Sequence, residues 1–140
     1  MEPTVHATAV ALRRKGAWLG ILIRGPSGAG KSDLALRLME QGARLVADDR
    51  VHLWASSGSL YARAPATIAG KIEVRGVGIV STAAVECVRI HLVIDLIEGT
   101  PERMPEPACE TLCGIEVARM SLNPHPTSSS TVVVRAIESL

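Results

Sequence analysis

Apolar positions change their spacing on the two sides of a glycine-rich segment near the start of the chain. Before it, residues 5–12 and 18–23 are rich in strand-forming residues, and the polar residues between them end in Gly16. After it, apolar side chains recur at helical spacing, at Leu34, Ala35, Leu38 and Met39. The pattern predicts a hairpin that leads into the glycine-rich segment, followed by one helix that Gly42 ends.

The rest of the chain is dominated by strand patterns. Residues 44–47, 88–96 and 115–122 are apolar enough to predict strands, and residues 51–54 either extend the first of these or begin another. Residues 99–107 contain three prolines and are predicted to be irregular. A hairpin, a helix and further strands predict an α/β fold with a mixed β-sheet.

Two segments have less regular patterns. Residues 68–80 alternate apolar residues with Gly, Glu, Arg and Lys, which predicts either a bent strand or a functional loop. Near the end of the chain, a Pro/Ser-rich connection precedes a helical stripe formed by Val132, Val133, Ala136, Ile137 and Leu140. A Ser or Thr is expected to cap this last helix at its N-terminus.

Composition limits the classes of function. With 140 residues, 47% of them hydrophobic and 21% charged, the chain is predicted to form one globular domain over residues 1–140. A formal net charge of +1 and an aromatic content of 2% argue against nucleic-acid binding by a basic surface or by base stacking. No apolar run approaches the ~18 residues of a membrane span, so no membrane partner is expected.

The cysteines bear on the compartment. Cys87, Cys109 and Cys113 are odd in number and form no disulfide-dense pattern, which favours the reducing cytoplasm. Cys109 and Cys113 lack a nearby second pair of thiols or histidines. Ordinary thiols are therefore expected rather than a metal site.

The glycine-rich segment fits the phosphate-binding motif G-x-x-x-x-G-K-[ST] in full, between an apolar strand and an amphipathic helix. This glycine-rich loop consists of Gly25, Pro26, Ser27, Gly28, Ala29, Gly30, Lys31 and Ser32. Its glycines allow backbone N–H groups to turn toward phosphate oxygens, and the helix adds the positive end of its dipole. The motif predicts ATP binding, with Lys31 on the β- and γ-phosphates and Ser32 as a ligand of Mg²⁺.

An acid pair, Asp48 and Asp49, follows the first strand after the predicted helix. Two carboxylates near bound phosphates can divide metal coordination and proton abstraction from a hydroxyl between them. Without the glycine-rich loop, a solvated turn would be the better interpretation. With the loop present, the sequence predicts that the pair belongs to an active site.

Three further residues are candidates for the same site. His6 is predicted on the strand beside the one that leads into the glycine-rich loop, where it can orient an aspartate. Glu73 can bind Mg²⁺ and Arg75 can neutralise phosphoryl charge, although a solvated bent strand explains their segment equally well. The remaining histidines show no ligand spacing; they are His52, His91 and His125.

Four segments together resemble one known family. They are Val5-His6, the glycine-rich loop, the string L-V-A-D-D at residues 45–49 and the string I-E-V-R-G-V-G-I-V at residues 72–80. They resemble the bacterial HPr kinase/phosphorylase family, specifically its C-terminal kinase domain. The resemblance implies a P-loop kinase domain similar to the nucleotide-binding core of phosphoenolpyruvate carboxykinase. It also implies a short form without the N-terminal domain of longer members.

The activity implied by this resemblance is that of an ATP-dependent protein-serine kinase. The substrate would be the phosphocarrier protein HPr, and the reverse reaction would be phosphorolysis by inorganic phosphate. Such an enzyme regulates the phosphotransferase system and carbon metabolism. Members are typically hexamers, so a cytoplasmic homo-oligomer is implied.

The resemblance also assigns roles to individual residues. His6 is similar to the family's active-site histidine, and Lys31 to its phosphate-binding lysine. Asp49 resembles the residue that accepts and donates the proton, with Asp48 beside it as a second acid.

Metal ligands and the reverse reaction follow from the same comparison. Ser32 and Glu73 resemble the family's magnesium ligands, and Arg75 lies in a stretch that the family uses in both directions. The family's later P-G-R-N-L segment aligns with residues 126–130, where no arginine stands. That difference weakens the expectation of phosphorolysis.

Two other functions remain open from the sequence. A small-molecule kinase of the adenylate or shikimate kinase type would carry several arginines in a lid, and only Arg103 and Arg119 precede Arg135 in the later chain. An ATP-binding regulator without turnover would bind nucleotide tightly. It would transfer no phosphate, and Asp49→Asn would leave its behaviour unchanged.

Overall fold

The computed structural model describes residues 4–140. The strands and helices are β1 (Thr4–Val5), β2 (Ala7–Arg14), β3 (Ala17–Arg24), α1 (Lys31–Glu40), β4 (Arg44–Ala47), β5 (Val51–Ser56), β6 (Ser59–Arg63), β7 (Lys71–Val74), β8 (Gly78–Ser81), β9 (Val88–Leu96), β10 (Ala108–Leu112), β11 (Ile115–Leu122) and α2 (Ser129–Glu138). A 3-10 helix, Ala66–Ile68, lies between β6 and β7. Within residues 4–140, no helix has the length and apolar character needed to span a membrane.

Strand β9 organises the main sheet. One edge of β9 pairs in parallel with β3, and the other pairs first with β6, antiparallel, and then with β11, in parallel. Beyond β3 the sheet continues through β2 to β4, and beyond β6 it continues through β5 to β1. The sheet is therefore mixed, and the predicted α/β class is confirmed.

Two apolar clusters cover the two faces of this sheet. On one face, Val10 and Leu12 of β2 belong to the cluster that includes α1 and α2. On the other face, Ala9 and Ala11 of the same strand join the buried residues of β5 and β6. Because successive strand residues point to opposite faces, one strand supports the helices and the β5–β6 hairpin at once.

The sheet topology brings three chain segments to one edge beside the glycine-rich loop. Strand β2 runs antiparallel between β3 and β4, with Ala7 opposite Arg24 and Ala9 opposite Ala47. The start of β2 therefore lies next to the ends of β3 and β4. The glycine-rich loop follows the first of those ends, and the acid pair follows the second.

Most of the predicted elements are confirmed. The hairpin β2–β3, the helix α1, the strands β4, β9 and β11 and the irregular residues 99–107 are all present. Gly42 follows the end of α1 with a φ angle of 100°, as its predicted role requires. Residues 51–54 do not extend β4 but belong to β5, which pairs with β1 and β6 instead.

Several details differ from the prediction. His6, which was predicted on the strand beside β3, lies in the bend between β1 and β2. Residues 68–80 form neither one bent strand nor a loop, because Gly76 and Gly78, with φ angles of 88° and 115°, allow the turn of a β7–β8 hairpin. Strands β6 and β10 were not predicted. Ser128 occupies the cap position of α2, but its side chain makes no capping hydrogen bond. The Ser129 hydroxyl instead donates to the carbonyl oxygen of Asn123 at 2.6 Å.

Candidate active site

The glycine-rich loop connects the end of β3 to the start of α1. Gly28 and Gly30 have φ angles of 82° and 103°, a left-handed conformation that glycine adopts without strain. Gly25 is needed for a different reason, since a Cβ there would lie 3.1 Å from the Cβ of Ala29 and 3.2 Å from that of Leu96. Glycine at these positions lets a tight loop pass directly into the helix.

Lys31 is the first residue of α1, and its side chain turns back toward the loop. Its Nζ donates hydrogen bonds to the carbonyl oxygens of Gly25 at 2.7 Å and Pro26 at 3.0 Å, and the residue is only 7% exposed. Burial lowers the pKa of Lys31, and the negative charges of Asp49 and Asp48 oppose this shift. An ammonium group has three donors, so one remains for a ligand.

An ion network anchors the end of β3 from which the loop departs. Arg24 donates to both carboxylate oxygens of Asp95, at 2.8 and 3.0 Å, and to both of Glu110, at 2.5 and 2.6 Å. The hydrogen bond from Arg24 holds the pKa of Glu110 below its ordinary value. Because Arg24 directly precedes Gly25, this network fixes the position at which the glycine-rich loop begins.

Asp48 is buried and saturated with hydrogen bonds. Its Oδ1 accepts from the hydroxyl of Ser32 at 2.7 Å and from that of Thr8 at 2.9 Å, and its Oδ2 accepts from the backbone N–H of Glu73 at 3.0 Å. The residue is 6% exposed. Asp48 therefore joins β2, α1 and β7, and it is poorly placed to take a proton from an incoming molecule.

Asp49 has the opposite environment, although it is the next residue. Its side chain is 67% exposed and lies 2.8 Å from the Nε2 of His6 through Oδ1. Its backbone has a φ angle of 70°, and its carbonyl oxygen accepts from the N–H of Ala7 at 3.2 Å. The left-handed backbone turns successive carboxylates in different directions, so one acid is enclosed and the other is accessible.

Both acids line one cavity of about 690 Å³. Among the predicted site residues, the cavity is lined by His6, Ser27, Gly28, Gly30, Lys31, Ser32, Asp48, Asp49, Glu73 and Arg75. Gly25, Pro26 and Ala29 do not line it, although the first two hold Lys31 through their carbonyl oxygens. Glu73 and Arg75 are exposed on the β7–β8 hairpin at the mouth of the cavity.

The donor set next to the loop suits a magnesium ion. The hydroxyl of Ser32 donates its proton to Asp48, which leaves its oxygen lone pairs for a cation. Mg²⁺ prefers oxygen ligands and usually takes only one or two from the protein, with substrate phosphates and water completing its shell. Among residues 4–140, no group of three or more His, Cys, Asp and Glu side chains could hold a metal alone. A phosphate-shared ion is the arrangement that these residues fit.

Eight residues that line this cavity were not among the predicted site residues: Thr8, Asp33, Leu36, Arg37, Val74, Pro124, His125 and Thr127. Thr8 is the one whose position carries a sequence signal, since it is a hydroxyl residue within an otherwise apolar strand. It is fully buried and bonded to Asp48. Val74 belongs to β7, and the other six come from α1 and from the segment before α2, which the fold brings together.

The cysteines lie outside the cavity. Cys87, Cys109 and Cys113 are exposed and free. This agrees with their interpretation as ordinary thiols.

Comparisons with known proteins agree with these features. The sequence model of the family described as "HPr Serine kinase C-terminal domain" matches residues 3–138. The HPr kinase/phosphorylase of Clostridium novyi is 42% identical over 92 residues, which cover 61% of this chain and 30% of the relative. That of Leptothrix cholodnii is 33% identical over 132 residues, which cover 84% of this chain and 41% of the relative. The chain thus spans less than half the length of these curated relatives.

A solved structure matches over almost the full chain. It is titled "Structure of the Hpr(Ser) kinase/phosphatase from Coxiella burnetii", and it matches with a TM-score of 0.80 and 29% sequence identity, covering 99% of this chain and 98% of that one. The family match extends over nearly all of the sequence and includes every residue of the cavity. The chain therefore belongs to the HPr serine kinase C-terminal domain family.

Proposed function

We propose that this protein is an ATP-dependent protein kinase that phosphorylates a serine of the phosphocarrier protein HPr. Through that reaction it would regulate the phosphotransferase system and carbon metabolism. One observation carries the proposal: the accessible carboxylate of Asp49, paired with His6, lies in the same cavity as Lys31 and the glycine-rich loop. An acceptor hydroxyl and a phosphate donor can therefore meet there.

The proposal extends to the fold and its assembly. Residues 1–140 would form one P-loop kinase domain with the mixed sheet of the phosphoenolpyruvate carboxykinase core. The support is a loop with the full phosphate-binding motif between a buried strand and a helix. Family membership supports a homo-oligomer, of which the hexamer is the family's typical form, and a cytoplasmic location.

The glycine-rich loop and Lys31 would hold the ATP phosphates. The first N–H groups of α1 have no partner within the helix, and the helix dipole places partial positive charge at the same end. Lys31 adds a full charge, and the bonds from its Nζ to Gly25 and Pro26 keep the ammonium beside the loop. The terminal phosphate is thereby oriented for transfer.

Asp49 would act as the general base. It takes the proton of the serine hydroxyl while the serine oxygen forms a bond to the γ-phosphorus, and the bond from that phosphorus to the β–γ bridging oxygen breaks to release ADP. His6 orients the carboxylate through the 2.8 Å contact. Asp48, enclosed by three hydrogen bonds, keeps Ser32 and Thr8 in place.

Mg²⁺ would be held by Ser32 and Glu73 together with the phosphates. When bound, it supplies charge neutralisation at the phosphoryl oxygens. Arg75, at the mouth of the same cavity, would add positive charge on the acceptor side. The forward direction is proposed as the main one, because residues 126–130 hold no arginine for phosphorolysis.

The test is a transfer assay with purified protein, ATP, Mg²⁺ and HPr from the same cell. We expect serine phosphorylation of HPr, which Asp49→Asn lowers by a factor of about 10² to 10⁴ with ATP affinity retained. Glu116→Gln, an exposed acid on β11 outside the cavity, is the matched control and should keep full activity. Tight ATP binding without transfer, unaffected by Asp49→Asn, would instead identify an ATP-binding regulator.

A further inference from the structure

The segment between β11 and α2, residues 123–128, packs on the glycine-rich loop. A Cβ added at Gly30 would lie 3.5 Å from the Cγ and 3.7 Å from the Cβ of Pro124, so the proline ring rests against the loop. Pro124 itself is buried, whereas His125 is exposed. The segment therefore forms a wall of the phosphate cavity rather than a distant connection.

Arg37 of α1 holds this segment by its backbone. Its Nη2 donates to the carbonyl oxygen of Pro124 at 2.5 Å, and its Nη1 donates to that of Pro126 at 3.3 Å. Asp33, one turn earlier on α1, pairs with the Nε of Arg37 at 3.2 Å. The rigid fork of a guanidinium suits two acceptors at a fixed separation, which an ammonium group cannot match.

The residue between those two prolines is His125, and its own backbone is also fixed. The N–H of His125 donates to the Oδ1 of Asn123 at 2.9 Å, and the Nδ2 of Asn123 donates to the carbonyl oxygen of Gly99 at 2.7 Å. The backbone is therefore restrained at Pro124, at His125 and at Pro126.

The imidazole of His125 differs from the other histidine in the cavity. His6 is committed to Asp49, whereas within residues 4–140 the ring of His125 makes no hydrogen bond. It lines the same cavity as Lys31 and Ser32. A restrained backbone that presents an uncommitted N–H donor beside a phosphate-binding loop is suited to a ligand with phosphate oxygens.

We propose that His125 binds the terminal phosphate of the nucleotide and that Arg37 is the residue that positions it. The inference rests on the proposed function, because it assigns a further contact to the same phosphate cavity. The basic groups beside the glycine-rich loop leave room for such a contact, because Arg37 is occupied by two carbonyl groups and Lys31 has one donor left. Arg75 lines the cavity from the β7–β8 hairpin instead. His125 supplies a second side-chain donor for the oxygens of the transferred group.

The experiment measures the Kd of ATP and of ADP, each with Mg²⁺, for the full chain by calorimetry. His125→Ala should raise the Kd of ATP about tenfold, which is the usual effect of losing one hydrogen bond to a charged group. It should raise the Kd of ADP less than about twofold. His125→Gln keeps a side-chain N–H donor and should recover part of the ATP affinity. His91→Ala, which removes a histidine outside the cavity, should change neither Kd.

Arg37 is tested through its effect on His125. Arg37→Lys retains the charge but cannot span both carbonyl oxygens, and we expect it to raise the Kd of ATP about three- to tenfold. The double variant Arg37→Lys with His125→Ala should have a Kd of ATP little higher than that of His125→Ala alone, since both changes remove the same contact. Fully additive effects would overturn the positioning role.

Other outcomes separate this inference from the proposed function. Equal losses for ATP and ADP, or a lower melting temperature with unchanged affinities, would overturn the contact to the terminal phosphate. A selective loss of ATP affinity in a protein that phosphorylates no HPr would uphold the contact and reject the proposed substrate. Normal HPr phosphorylation with no change of ATP affinity in His125→Ala would uphold the proposed function and reject the contact of His125. A wild-type protein that binds neither nucleotide would overturn both.

Discussion

The inner and outer parts of the cavity are built in opposite ways. The cavity floor is defined as Thr8, Lys31, Ser32 and Asp48, which are mostly buried. Thr8 and Ser32 donate to the side chain of Asp48, and Lys31 donates to the backbone carbonyl oxygens of Gly25 and Pro26. The rim hairpin, defined as β7, β8 and their turn, exposes nearly all of its outer residues. It is joined to the floor by the bond from the Glu73 N–H to Asp48.

The floor residues therefore stabilise the fold, and the rim residues are the ones that an incoming molecule can reach. Removing a floor group leaves buried donors or acceptors without partners, which is costly in any state of the protein. Rim residues are already hydrated, so changing them costs little in the folded chain. The proposed reaction requires both kinds of surface, because its site would enclose phosphate and also admit a serine of another protein.

The acid pair tests the division with one chemical change at two adjacent positions. Asp48→Asn places an amide N–H₂ or a weaker acceptor among the donors of Ser32, Thr8 and Glu73, and it should lower the free energy of unfolding by about 3 kcal/mol. Asp49→Asn alters one exposed contact and should lower it by less than about 1 kcal/mol. Urea denaturation of both variants measures the difference. Equal losses of unfolding free energy would contradict the difference between the enclosed Asp48 and the accessible Asp49.

Two lysines test the same division for ligand binding. Lys31→Met removes the charge of the floor but keeps a long apolar stem, and it should raise the Kd of ATP about 100-fold. Losing the bonds to the carbonyl oxygens of Gly25 and Pro26 should also lower the free energy of unfolding, by about 1 kcal/mol, since burial already disfavours the charge of Lys31 and offsets part of the cost. Lys71→Met makes the same change on the exposed start of the rim hairpin and is the control. Calorimetric titration with ATP and Mg²⁺ would contradict the prediction if both variants bound equally.

Sequence patterns predicted the elements whose burial is periodic or continuous. Strands β9 and β11 were bounded correctly because apolar strand-forming residues recur along each of them, closely in β9 and at spaced positions in β11. Strand β10 was missed because it is mostly exposed, and its ladder to β11 depends on the turn at Cys113 and Gly114 rather than on a buried stripe. Short strands such as β6 and exposed strands such as β10 have too weak a pattern to be predicted.

The site was predictable where motifs are local and unpredictable where contacts are distant. The glycine-rich loop and the acid pair are short strings, and the family resemblance supported the candidates His6 and Glu73. Thr8 and Asp48 are 40 residues apart, and Arg37 and Pro124 are 87 apart. No local pattern links such residues, because the sheet order brings them together. The different burial of Asp48 and Asp49 likewise comes from the backbone turn and not from their identity.

The ion network around Arg24 predicts that the stability of the fold depends on pH. Arg24 lowers the pKa of Glu110 from its ordinary 4.5 in the folded state. A depressed carboxyl pKa stabilises the fold above about pH 4.5, and that contribution is lost as the pH falls through the lower folded value. Glu110→Gln should therefore reduce stability at neutral pH by about 1 kcal/mol and flatten its decline in acid. Urea denaturation between pH 7 and pH 3 checks this, with Glu116→Gln as the control; parallel curves for wild type and Glu110→Gln would contradict it.

The rim hairpin should give the smallest change of stability. Val77 and Ile79 are 74% and 68% exposed, which is unusual for such apolar side chains. Val77→Ser combined with Ile79→Ser should change the free energy of unfolding by less than about 0.5 kcal/mol, because neither side chain is buried on folding. Ile72→Ser is the contrast within the same hairpin: it is 1% exposed and belongs to the apolar cluster of the helices, so it should destabilise the fold. If the double variant cost as much as Ile72→Ser, the hairpin would be part of the core, and the opposition between a buried floor and an exposed rim would fail.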